Sequence, residues 1–67
     1  MTAKLALTTT ERALLRLLVA GYALEDAATA LGLSLPDAER LLARLQSRCG
    51  VSGYTRLLVL AVLNAWV

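Results

Sequence analysis

Three arginines stand at four-residue intervals, Arg40, Arg44 and Arg48, with Ser47 beside the last. Residues four apart on a helix share one flank, so the stripe lines up three guanidinium groups. A guanidinium is always charged and donates through a planar fork that fits phosphate oxygens or the O6/N7 edge of guanine. A serine hydroxyl also donates to phosphate. The chemistry on offer is therefore nucleic-acid contact. Asp37 lies three residues before Arg40, and the two can instead pair on a solvated face, a matter of roughly 0.2–0.5 kcal/mol. Catalysis is not on offer. The chain has no histidine, and Ser34, Ser47 and Ser52 have no candidate base. The acidic residues between Glu25 and Glu39 fit helix caps and exposed faces. No enzymatic activity, metal or cofactor is read. Cys49 is the only cysteine, so neither an internal disulfide nor a Cys/His zinc site can form. It reads as a small buried hydrophobe in a reducing cytoplasm.

The stripe needs a helix, and the residues before it supply the start of one. An apolar helical segment ends at Leu31, Gly32 can take the positive φ that closes a helix, and Leu33 plugs the corner. Ser34 can cap the next helix, with Asp37 as the reciprocal acceptor of a capping box, and Pro36 falls in the first turn. Ala38, Leu41, Leu42, Leu45 and Cys49 then form an inward stripe at about 100° per residue. Two short helices around a tight glycine turn, the second striped with arginine, are the parts of a helix-turn-helix DNA reader. The same parts also make an αα-corner in a small bundle.

The spacing predicts four helices, at about 9–20, 24–31, 35–48 and 54–66, within one domain spanning residues 1–67, and no strands. The first opens at Thr8 with Glu11 at the capping-box position, and Leu14, Leu15 and Leu18 recur on one face. Ala27, Ala28 and Leu31 face inward on the second. The fourth differs in kind. Leu57, Leu60, Ala61 and Asn64 make one face, while Val59, Val62, Leu63 and Trp66 make the other, which is apolar too. A helix apolar on both sides is buried on both sides. Three preceding helices cover only one, so Val59, Val62, Leu63 and Trp66 are expected to meet a second subunit.

Composition agrees. At 67 residues and 58% hydrophobic, with few aromatics, the chain is short and too apolar to cover its own surface as a monomer. No signal-peptide pattern is read around Lys4, and the apolar run from Leu57 to Val67 is well short of the roughly 20 residues a bilayer span requires. The formal net charge of +2 permits nucleic-acid binding without arguing for it. Tyr22, Tyr54 and Trp66 read as packing or interface residues, because duplex readers seldom stack bases.

The chain resembles the LuxR-type (GerE-type) helix-turn-helix domain of bacterial response regulators and quorum-sensing regulators. The matching residues are Leu7-Thr8, Glu11-Arg12, Leu15, Leu17-Leu18 and Ala20-Gly21. They continue with Ala28, Leu31-Gly32-Leu33-Ser34, Leu45, Gly50-Val51, Leu57 and Ala61. The resemblance covers about residues 7–62. It implies a tri-helical core, a third helix that enters the major groove, and dimerisation through the fourth helix. One departure falls in the second helix, where the family usually has Lys-Glu and this chain reads Glu25-Asp26; the others fall in the recognition helix. Where the family typically begins Thr-Val-Lys, followed by Asn or Thr and then His, this chain reads Asp37, Ala38, Glu39, Arg40 and Leu41. The family's contacts carry over to Arg40 and Arg44, and with less support to Arg48 and Ser47. They do not carry over to Asp37 or Glu39, which repel a polyanion.

Two functions are compatible with the sequence. The first is a cytoplasmic transcriptional regulator that binds double-stranded DNA as a homodimer through Arg40, Arg44, Ser47 and Arg48. The second is a domain of the same fold that has lost DNA binding. It would pair with another regulator through its apolar fourth helix, as an anti-activator or dimerisation device. Neither the DNA target nor the sign of regulation is written in the residues.

Overall fold

The computed structural model describes residues 7–65. It is all-helical, with α1 (Thr9–Val19), α2 (Leu24–Ala30), α3 (Leu35–Cys49) and α4 (Tyr54–Leu63), and no strand among the described residues. The Thr8 hydroxyl accepts from the Glu11 amide at 3.0 Å, while Glu11 Oε1 accepts from the Thr8 amide at 2.9 Å. That reciprocal box fixes the start of α1.

The α2–α3 corner forms at Gly32, whose φ is +72°. The Leu33 amide donates to the Ala28 carbonyl at 2.8 Å and the Gly32 amide to that of Thr29 at 3.1 Å. This pairing satisfies two orphan carbonyls of α2 and reverses the chain. The same pairing closes α1 (Tyr22 to Leu17) and α3 (Val51 to Gln46). After the corner, Ser34 Oγ accepts from the Asp37 amide at 3.2 Å and Pro36 occupies the first turn of α3. Asp37 does not reach back to complete the expected box; its carboxylate turns to Arg40. Aspartate is one methylene shorter than the Glu or Gln that such a box uses.

The helices contact one another in a ring, α1 against α2, α2 against α3, α3 against α4 and α4 against α1. Leu14, Leu15, Leu18, Ala27, Leu42, Leu45, Leu57 and Ala61 form the buried centre. Ala27 and Ala61 are fully buried, and such small side chains let neighbouring backbones approach closely. Leu41 and Cys49, expected fully inside, are half-buried at the edge of that centre. Leu57 and Ala61 belong to the core proper, so α4 completes the core instead of being appended to it. No helix among the described residues is long and apolar enough to cross a membrane.

α4 ends at Leu63, three residues before the expected boundary. Asn64 turns its amide and its side-chain Nδ2 onto the Leu60 carbonyl, at 2.9 Å each, and Ala65 follows with φ +56°. Asn competes with the helical backbone through its own side chain and tolerates helix ends. It therefore stops the helix instead of extending the inward face. Trp66, expected on the outward face, lies outside the described residues.

Candidate nucleic-acid interface

α3 carries every charged residue of the predicted contact surface, and its local structure follows from its sequence. Serine capping and the proline turn fix the N-terminal end, and Ala38, Leu42 and Leu45 bury one face. The opposite side is left to Asp37, Glu39, Arg40, Arg44 and Ser47, all exposed. Arg40 and Arg44, with Asp37 and Leu41, border an open groove of about 350 Å³ whose far side is Thr10 of α1 and Leu33 of the corner.

The three arginines differ in their partners. Arg40 Nη1 donates to Asp37 Oδ1 at 3.2 Å, with the two side chains 71% and 54% exposed. Such an exposed pair adds little to the stability of the fold. Arg44 and Glu39 make no ion pair among the described residues. Ser47 is exposed near the C-terminal end of the helix.

Arg48 is turned elsewhere. Its Nη1 donates to both carboxylate oxygens of Glu11, at 3.4 and 3.3 Å, across 37 residues of chain. Glu11 is 2% exposed and is the only buried charged residue among those described. A buried carboxylate is costly unless paired and hydrogen-bonded. The guanidinium of Arg48 and the amide of Thr8 together meet that need, and no buried side-chain polar atom among the described residues is left without a partner. Arg48 thus ties the end of α3 to the start of α1, spanning the ring of helices.

Glu11 is the residue whose role the sequence reading misses, because its spacing from Thr8 accounts for a cap and nothing more. The signal is nonetheless present. Glu11 stands on the same helical row as Leu14, Leu15 and Leu18, the spacing of an inward face. A carboxylate on that row requires a cation within reach of the core, and Arg48, at the surface edge, is the arginine that supplies it.

Cys49 follows Arg48 and is half-buried. Burial raises its thiol pKa above the ordinary value, opposed by the neighbouring Arg48 charge. It is held as a thiol, which makes it a poor nucleophile. Among the described residues no cluster of three His, Cys, Asp or Glu side chains is placed to hold a metal ion.

A second surface lies on α4. Val59, Val62 and Leu63 are 51%, 55% and 75% exposed, and Val19 at the end of α1 is also exposed. Val59 lines two open grooves. One, of about 320 Å³, is bordered by Val19 and Val62; the other, of about 300 Å³, by Val51, Leu60 and the charged Arg56. This is the outward face expected from the periodicity, without Trp66.

No protein-family model, curated protein or solved structure matches the chain.

Proposed function

We propose that the chain is a DNA-binding domain of the LuxR-type helix-turn-helix kind. In this reading it acts in the bacterial cytoplasm as a transcriptional regulator and sits on double-stranded DNA as a homodimer. The observation that carries the reading is the placement of Arg40 and Arg44 on the exposed flank of α3, immediately after the Gly32 corner. A helix presented this way by a short preceding helix is the shape that enters a major groove. Arg40, in the early turns, is the base-edge reader. Arg44, one turn on, contacts the phosphate wall with Ser47 beyond it. Arg48 belongs to the scaffold through Glu11 and is not counted among the contacts.

Dimerisation rests on α4. Its inner side completes the core, and its outer side is a contiguous apolar strip of the kind that marks a protein interface. A two-fold arrangement is self-complementary by construction. The half-sites of the DNA would then follow the two-fold axis through α4.

A second reading has its own support. Arg48 is paired with Glu11 and Arg40 with Asp37, so α3 offers DNA little uncompensated positive charge. A protein-interaction module that uses α4 to capture another regulator needs no such charge. Titration with mixed-sequence duplex DNA at two salt concentrations separates the readings. A dimer that places one or two arginines per subunit on phosphates gives a log–log salt slope of about −2 to −4. A slope near zero, or no binding at low salt, removes the DNA reading and leaves the interaction module.

A further inference from the structure

We propose that Asp37 is a specificity-determining residue that acts with Arg40 as one readout unit for a guanine beside a cytosine. The inference rests on the reading of α3 as the DNA-contacting helix. Asp37 lies in the first turn of α3, and its backbone amide is pinned by Ser34 Oγ at 3.2 Å. Its carboxylate is free of any capping duty and accepts from Arg40 Nη1 through Oδ1 at 3.2 Å. Both side chains are more than half exposed.

That geometry has three consequences. Held by Asp37 at one nitrogen, the planar guanidinium keeps further N–H donors for another acceptor. The guanine edge, with O6 and N7 side by side, is the base that uses two of them. The second carboxylate oxygen, Oδ2, is acceptor-only and fits the N4 amino group of cytosine, while it repels the O4 of thymine and the O6 and N7 of guanine. The pair also carries no net charge, so it releases few counterions and adds little to sequence-independent affinity. Its contribution is selection, not attraction. Glu39 in the same turn makes no ion pair among the described residues and has no such role.

The test starts from a duplex library with randomised central positions, followed by anisotropy titration of one selected and one mixed-sequence duplex at fixed salt. The wild-type chain should enrich guanine with cytosine adjacent. Asp37→Ala removes a negative charge from the DNA face, so binding to the mixed-sequence duplex should tighten about threefold or more. The same variant should lose about fivefold or more of its preference for the selected duplex. The two changes have opposite signs, which loss of structure does not produce. Asp37→Asn gives an independent check. An amide both donates and accepts and suits adenine, so the adjacent preference should move from cytosine to adenine. If Asp37→Ala tightens both duplexes equally, Asp37 only repels DNA and the inference falls while the DNA reading stands. If the wild type enriches no sequence and binds no duplex, the DNA reading falls and takes the inference with it.

Discussion

Replacing Arg48 by Ala separates a scaffold arginine from a phosphate clamp, because the two roles predict different losses. In the folded chain Glu11 accepts from the Thr8 amide at 2.9 Å and from Arg48 at 3.4 and 3.3 Å, while itself 2% exposed. Without the guanidinium the buried carboxylate keeps only its capping bond among the described residues. Removing one partner of a fully buried pair costs about 3–5 kcal/mol, whereas an exposed pair is worth about 1 kcal/mol or less. The Arg48 side chain is 34% exposed and its contacts are at the long end of the hydrogen-bond range. Water can therefore replace part of what is lost, and the expected destabilisation is about 2 kcal/mol. For a domain of this size each kcal/mol moves Tm by about 4–8 °C, so Arg48→Ala should lower Tm by about 8–16 °C.

Two companions make the measurement decisive. Arg44→Ala removes an exposed arginine that makes no ion pair among the described residues and should stay within about 0.5 kcal/mol of the wild type. Glu11→Gln removes the charge but keeps an acceptor for the Thr8 amide, since Gln also serves in a capping box. A double-mutant cycle between Glu11→Gln and Arg48→Ala, read by urea denaturation, should give a coupling of about 1 kcal/mol or more. The scaffold role is refuted if Arg48→Ala melts within a degree or two of the wild type and shows no coupling to Glu11. If that variant also lowers the DNA salt slope by about 0.9, one phosphate contact, Arg48 is a clamp after all.

Gly32→Ala should cost about 1–2 kcal/mol by thermal denaturation, all of it from the positive φ, because an added Cβ meets nothing within 4 Å. Glu39→Lys exchanges a repulsive charge for an attractive one, so duplex binding should tighten and the salt slope steepen by about one to two units. Cys49 should alkylate more slowly in the folded chain than in urea. Its folded pKa is raised, so the folded state resists deprotonation, and stability should fall as pH rises above the pKa of the unfolded thiol.

Most of the architecture is legible in the sequence because it depends on short-range signals. Thr8 with Glu11, Ser34 before Pro36, and the glycines at 21, 32 and 50 mark the helix ends, and the leucine spacing marks the buried faces. The features that escape such reading depend on partners far apart in the chain, or on a side chain one bond too short. Periodicity places Arg48 on the same flank as Arg40 and Arg44. Only the approach of α1 to the end of α3 draws it to Glu11, 37 residues away. Asp37 matches the capping-box position by spacing, yet lacks the reach, and so meets Arg40 instead. The early end of α4 has the same origin: Asn64 fits the apolar row by count, but its amide prefers the Leu60 carbonyl to a place inside.

The pairing of charges ties the two proposed surfaces together. With Arg48 held by Glu11 and Arg40 shared with Asp37, Arg44 and Glu39 remain on α3 with opposite signs. The α3 of a single copy therefore has little electrostatic grip on DNA at physiological salt, where each phosphate contact counts. Two copies joined through α4 convert the second contact into an intramolecular step, and avidity of this kind exceeds either half alone by about 10²–10⁴. Leu63→Glu tests that dependence. The side chain is 75% exposed, so the charge is tolerated in a lone subunit but is costly in a dry interface. Light scattering should report a monomer for the variant and a dimer for the wild type. Duplex binding should fall about a hundredfold or more, although nothing on α3 has changed. A wild type that is monomeric at high micromolar concentration refutes the interface. A monomeric variant that binds duplex as well as the wild type refutes the coupling, and Arg40 and Arg44 would then have to hold DNA without help from a second subunit.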